Sequence, residues 1–148
     1  MEREFDAPLE DVWRAWTEAS SLEKWWAPLP YKAVTKSMDF TEGGKWLYYM
    51  LSPEGEKHWC AVNYLKIIVR KNFTAEDAFV DEEGNLNEDL PNGYWTNDFT
   101  ATSNGTKVNT TIVYRTEEDV QRILDMGMKE GITMAFNQLD DVFKKVSA

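Results

Sequence analysis

Hydrophobic positions along this chain change period twice, and the changes divide it into three stretches. In the first, Leu9, Val12, Trp13 and Trp16 fall at i, i+3, i+4 and i+7, one face of a helix. Asp6-Ala7-Pro8 reads as its start, a polar cap ahead of an early proline, and Arg3 to Asp6 leaves room for a short strand before it. Ser20 and Glu23 have capping-box spacing for a second short helix with Leu22, Trp25 and Trp26 on one side, ended by Pro28 and Pro30.

From Lys32 the period becomes two. Val34, Met38 and Phe40 alternate with polar residues, as do Trp46, Tyr48 and Met50, with turns at Gly43-Gly44 and Pro53-Glu54-Gly55. His58 to Val69 predicts a long, bent strand and Phe73 to Val80 another. Asp81 to Gly93 is acidic and turn-rich, a loop. Tyr94 to Thr102 and Lys107 to Tyr114 predict a hairpin around a two-residue turn at Asn104-Gly105.

The third stretch returns to helical spacing. Thr116 and Asp119 approximate a capping box, and Glu117, Glu118 and Asp119 suit the positive end of a helix dipole. Val120, Ile123, Leu124, Gly127, Met128, Gly131, Met134, Ala135, Gln138, Leu139, Val142, Phe143 and Val146 mark one continuous face, with Lys144 and Lys145 where cations are favoured. The expectation is an α+β domain over residues 1–148, in the order strand, two short helices, six antiparallel strands, one long helix. That helix, from about Thr116 to Val146, closes over a curved sheet.

Composition narrows the partners. Of 148 residues, 16 are basic and 26 acidic, a formal net charge of -10. Such a surface repels phosphate backbones and anionic lipid, which argues against nucleic acid and membrane partners. Cys60 is the only cysteine, so no internal disulfide forms. No apolar run approaches the roughly 20 residues of a membrane helix, and the first residues lack the apolar stretch of a signal peptide. Asn-x-Ser/Thr sequons at Asn72, Asn104 and Asn109 then read as chance matches, and the expected location is cytoplasmic.

Candidate chemistry is sparse. Gly127 and Gly131 lie inside the stripe of the last helix, each costing about 1 kcal/mol in helix propensity against alanine. Glycine there either lets another backbone come close or leaves room for a cavity with Met128 and Met134 as adaptable lining. Seven Trp, six Tyr and seven Phe are many for this length; Trp46 shares a strand face with Tyr48, and Trp95 with Phe99. Most such rings are core, yet a wall of aromatics and methionines with a few polar handles also describes a small-molecule pocket.

His58 and Cys60 sit two apart on one strand face, with backbones roughly 6.5 Å apart, too far for a ready thiol–imidazole dyad. They lack the partners of a zinc site. His58 is the only side chain whose ordinary pKa lies near neutrality. Asp81, Glu83, Asn85, Asn87 and Asp89 suggest calcium only superficially, because Leu86 stands where the calcium loop needs glycine. No motif requires an enzyme, a metal or a cofactor.

Several segments carry a resemblance. Phe5-Asp6-Ala7-Pro8, Val12-Trp13-Arg14-Ala15-Trp16-Thr17 and Trp25-Trp26 open it. Asp39-Phe40, Gly43-Gly44-Lys45-Trp46, Met50 and Pro53-Glu54-Gly55 continue it, followed by Phe79-Val80-Asp81-Glu82-Glu83-Gly84 and Asn104-Gly105-Thr106-Lys107-Val108. Glu117-Glu118, Met126-Gly127-Met128-Lys129-Glu130-Gly131 and Leu139 complete it. In this order, over nearly the whole chain, they resemble the activator of heat shock protein 90 ATPase homologue (AHSA-type) family of the START-like, or SRPBCC, superfamily. The resemblance implies a helix-grip fold related to the birch-pollen allergen. A seven-stranded antiparallel sheet wraps around the long C-terminal helix with a cavity between them. The sequence departs from the family where Ile132 replaces a frequent tryptophan and Thr41 a frequent arginine, both expected near the cavity or its rim.

The functional expectation is non-catalytic binding of a small hydrophobic or aromatic molecule. The expected lining is Trp26, Met38, Phe40, Trp46, Tyr48, His58, Cys60 and Phe79, with Trp95, Gly127, Met128, Gly131 and Met134. His58, Tyr48 or Gln138 would orient polar groups, and the loop from Asp81 to Gly93 would cover the mouth. One alternative is a polyketide cyclase- or hydrolase-like enzyme in the same cavity, with His58 or a tyrosine as acid/base. The other is a chaperone-associated interaction module with a filled cavity, the least favoured partner. Tyr49 would support a homodimer.

Overall fold

In the computed structural model of the chain, which describes residues 1–147, the period-two stretch forms six strands and the N-terminal segment a seventh. The elements are β1 (Glu2–Phe5), α1 (Leu9–Thr17), α2 (Ala19–Leu22), β2 (Lys32–Met38), β3 (Lys45–Leu51), β4 (Lys57–Ile68), β5 (Asn72–Phe79), β6 (Gly93–Ala101), β7 (Thr106–Val113), α3 (Glu117–Asp125) and α4 (Met128–Ser147). All strands join one antiparallel sheet in the order β1-β7-β6-β5-β4-β3-β2. Irregularities between Thr35 and Ser37 and between Tyr64 and Lys66 bend β2 and β4, so the sheet curves and presents a concave face. This is the expected helix-grip architecture, with α4 across the concave side. Among the described residues no helix is long and apolar enough to cross a membrane.

Aromatic packing fixes α1 to the sheet. The Trp13 ring lies 5.9 Å from Phe40, 5.9 Å from Phe73 and 5.0 Å from Phe99, all edge-on. Trp16 packs on Trp25 at 4.9 Å and on Phe136 of α4 at 5.7 Å. Phe5 joins the strand edge to α4 through Phe136 and Phe143. Burying such rings supplies most of the drive for closure.

Several local expectations are corrected. Pro8 itself caps α1 and no side chain closes that end; Ser20 lies inside α2, which is a single turn. The β6–β7 turn occupies Thr102 to Gly105, because Thr102 N–H donates to Gly105 O at 2.8 Å and Ala101 pairs with Thr106. None of those four residues has positive φ, so it is not the Asn-Gly turn type. Thr116 does cap α3, accepting from Asp119 N–H at 3.0 Å.

The last helix is in two pieces. Gly127, at φ +85°, is the left-handed residue that ends α3, and α4 starts at Met128. The break resets the helical phase. Met134 lies about three turns after Ile123 and would share its face in a continuous helix. In the structure Ile123 is buried while Met134 is 44% exposed. The face α4 buries is Ala135, Phe136, Leu139 and Phe143, of which Phe136 lay outside the expected stripe. Val120 and Leu124 are exposed. The side chains from residue 145 onward, Lys145 and Val146 among them, lie outside the described residues.

Candidate functional site

Strand pairing stacks inward-facing residues in rows across the concave face. Met50 pairs with His58. Tyr48 pairs with Cys60, and Cys60 with Phe79. Trp46 pairs with Val62, Val62 with Asp77, and Asp77 with Gly93. Ala75 pairs with Trp95 in the next row. Between these rows and the helical side lies a pocket of about 500 Å³. Its roof comes from Ile123, Gly127, Met128, Gly131, Ile132 and Ala135, and Trp16, Trp25 and Trp26 close one flank.

Most of the expected lining residues meet there: Trp26, Trp46, Tyr48, His58, Cys60 and Phe79 from the first helices and the sheet, then Trp95, Gly127, Met128 and Gly131. Three do not. Phe40 is taken up by the Trp13 and Tyr64 rings, and Met38 packs against the same core, both away from the pocket. Met134 faces outward for the phase reason above. Thr41 is exposed, bonded to Asp39, and lies off the rim, whereas Ile132 does line the roof. Gln138 is not a ligand contact. Its Nε2 donates to Trp25 O and Ala27 O, and its Oε1 accepts from Leu29 N–H, which fastens the segment after α2 to α4.

The two glycines have different reasons. A Cβ on Gly131 would meet only the Pro28 ring, at 3.7 Å, so this glycine leaves room and no backbone presses against it. Gly127 supplies the positive φ of the helix break. Leu90, from the acidic loop, also lines the pocket. Asp81 organises that loop by accepting from the N–H groups of Glu83 and Asn85, which holds its carboxyl below its usual range.

Polar groups are few. Trp26 Nε1 donates to Tyr48 Oη at 2.8 Å, and the Tyr48 ring stacks on Trp46 at 3.9 Å. Burial pushes the Tyr48 phenol up, and pushes the Cys60 thiol up to about 12. Cys60 Sγ approaches His58 only at its backbone oxygen, 3.7 Å away, so the pair is no dyad and the thiol stays protonated. His58 stands exposed at the mouth, 3.7 Å from Glu56 and edge-on to Tyr31. Tyr49 is half-buried on the outer face against Trp59, with Lys57 Nζ 5.0 Å above its ring.

The group that spacing passed over is Asp77. On β5 the inward positions run Phe73, Ala75, Asp77, Phe79, so a carboxylate stands in an apolar alternation. That break in alternation was its available signal. Asp77 Oδ1 accepts from Gly93 N–H at 2.6 Å. Burial raises its carboxyl to about 6, against the Gly93 bond and the nearby Trp95 indole, which pull the other way. Among the described residues no lysine or arginine lines the pocket and no ion pair includes Asp77. The indole N–H of Trp95, near Asp77 but outside hydrogen-bond geometry, and that of Trp16 are buried without an acceptor. The chemistry available is therefore apolar contact, ring faces, two indole donors, the hydroxyls of Tyr48 and Tyr64, the Cys60 thiol, His58, the Asn97 amide and one carboxylate.

The family model described as activator of Hsp90 ATPase homolog 1-like protein matches residues 6–144. A crystal structure of a Mycobacterium smegmatis protein is similar at 33% identity and TM-score 0.86, over 95% of this chain and 86% of that one. A solution structure of an Arthrobacter aurescens protein is similar at 32% identity and TM-score 0.91, over 97% of this chain and 84% of that one. A crystal structure described as an AHSA1 protein of Silicibacter pomeroyi shares the fold at 16% identity and TM-score 0.75, over 97% and 95%. No curated protein matches the sequence.

Proposed function

The chain belongs to the activator of Hsp90 ATPase homolog 1-like family, and on that premise we propose that it is a non-catalytic binding protein for a small hydrophobic or aromatic molecule. The observation that carries this reading is the pocket of about 500 Å³ beneath the helix break, within the size range of small-molecule sites. Its walls are mostly contact area, with Asp77 the one carboxylate among them. Trp46, Tyr48, Trp95, Phe79, Met50 and Met128 surround it, and the thiol of Cys60 is held neutral. Room beside Gly131 speaks for a binding site over a filled core that serves only to dock another protein. The absence of an ionised thiol or a thiol–imidazole contact speaks against nucleophilic catalysis by Cys60.

Intrinsic fluorescence reads the pocket directly, because Trp16, Trp25, Trp26, Trp46 and Trp95 line it. Titration with a panel of hydrophobic ligands is expected to quench or shift the emission saturably, and native mass spectrometry of freshly purified protein to show an adduct. Unchanged emission across the panel together with bare protein in the spectrometer overturns the proposal.

A further inference from the structure

One carboxylate stands inside a wall of rings, and among the described residues no cation pairs with it. Asp77 lies in the pocket row Trp46–Val62–Asp77–Gly93, and its strand pairs Ala75 with Trp95 in the adjacent row. Trp46 and Tyr48 stack at 3.9 Å, and Trp26 bridges Trp46 at 5.7 Å and Trp95 at 5.8 Å. Four electron-rich rings therefore share one end of the pocket with a carboxylate. A half-buried carboxylate in apolar surroundings without a counter-ion is costly, and the cost is relieved by a cation that arrives with the ligand. Ring faces attract the same cation through their quadrupoles. The net charge of -10 also raises the local concentration of cations over anions.

We infer that the ligand is a hydrophobic amine whose ammonium group sits against Asp77 within the rings of Trp26, Trp46, Tyr48 and Trp95. This rests on the binding reading above and adds the chemical class. The carboxylate has acceptor capacity left, since Oδ1 takes the Gly93 N–H and a carboxylate offers about four lone-pair sites. The groups facing Asp77 from neighbouring elements, Tyr48, Cys60 and Tyr114, carry no positive charge to compete. An anionic ligand would meet Asp77 with like charge, and a neutral one would leave it unpaired.

The test is a panel of arylalkyl primary amines of several ring sizes, each paired with the carbon isostere in which methyl replaces the ammonium, titrated calorimetrically at pH 7.5. The amine of the tightest pair is expected to bind at least about tenfold tighter than its isostere. In Asp77→Asn, which keeps an oxygen for Gly93 N–H, that ratio is expected to collapse to within about threefold. Asp77→Ser serves if the first variant does not fold, and the wild-type ratio stands independently of both. Isosteres that bind as tightly as the amines overturn the amine assignment and leave the pocket reading intact. A preference that survives in Asp77→Asn overturns the role of Asp77. A panel in which nothing binds overturns both readings.

Discussion

Asp77 and Gly93 face each other across the β5–β6 ladder, and the carboxylate takes the glycine N–H at 2.6 Å. The bond leaves an ionisable group in apolar surroundings, so its protonation is linked to folding. Its carboxyl lies at about 6 in the native state against 3.8 ordinarily. Between those values the native chain holds a proton that the unfolded chain has lost. The protonated group's stabilisation is complete below the ordinary value and is lost as pH rises through about 6. Urea unfolding of wild type and Asp77→Asn at pH 4 and 7.5 is expected to show the variant gaining on wild type by about 2–3 kcal/mol at the higher pH. An equal difference at both pH values would contradict the linkage.

Gly93 is required by its neighbours. A Cβ there would sit 2.8 Å from Asp77 Oδ1, 3.0 Å from Ile112 Cγ2 and 3.1 Å from Tyr114 Cε1. Gly93→Ala is expected to cost about 1–3 kcal/mol in chemical denaturation, since three packed side chains must shift together.

The two helix glycines should respond in opposite directions. Gly127→Ala forces a left-handed φ on alanine and is expected to destabilise by about 1–2 kcal/mol. Gly131→Ala meets only ordinary contact with Pro28 and is expected to stabilise by up to about 1 kcal/mol. Thermal melts of both variants distinguish them by sign.

Gln138 joins α4 to three backbone groups of the segment after α2. Gln138→Ala is expected to lower stability by about 2–3 kcal/mol, by loss of the bonds and partial burial of their partners. A near-neutral change would mean that those backbone groups are as well served by water.

Much of the architecture was legible from periodicity. The switch from 3.6 to 2 at Lys32 and back at Thr116 placed β2 to β7 to within a residue or two, because one face of each strand had to be apolar. The helix break at Gly127 was not legible, since a glycine costs helix propensity whether the helix continues or stops. Carrying one phase across it brought Met134 inward and missed Phe136. In the pocket, aromatic wall positions such as Trp46 and Tyr48 followed from alternation. Met38 and Phe40 also alternate, yet Trp13 claims that end of the sheet for the core. Asp77 was passed over because Glu76 beside it makes the pair look like ordinary solvated charge, although alternation with Phe73, Ala75 and Phe79 puts Asp77 on the inner face and Glu76 on the outer one.

The split roof also divides the molecule's cohesion. Helix α3 is attached to the body through one buried side chain, Ile123, whereas α4 is held by Ala135, Phe136, Leu139 and Phe143. Native-state amide exchange should then be heterogeneous within what looks like a single C-terminal arm. The α3 amides are expected to exchange through local opening at the glycine, and those of the buried middle of α4 only through openings close to global unfolding. A cargo beneath α3 would be released at the rate of that small unlatching, so its residence time is decoupled from the stability of the fold that encloses it.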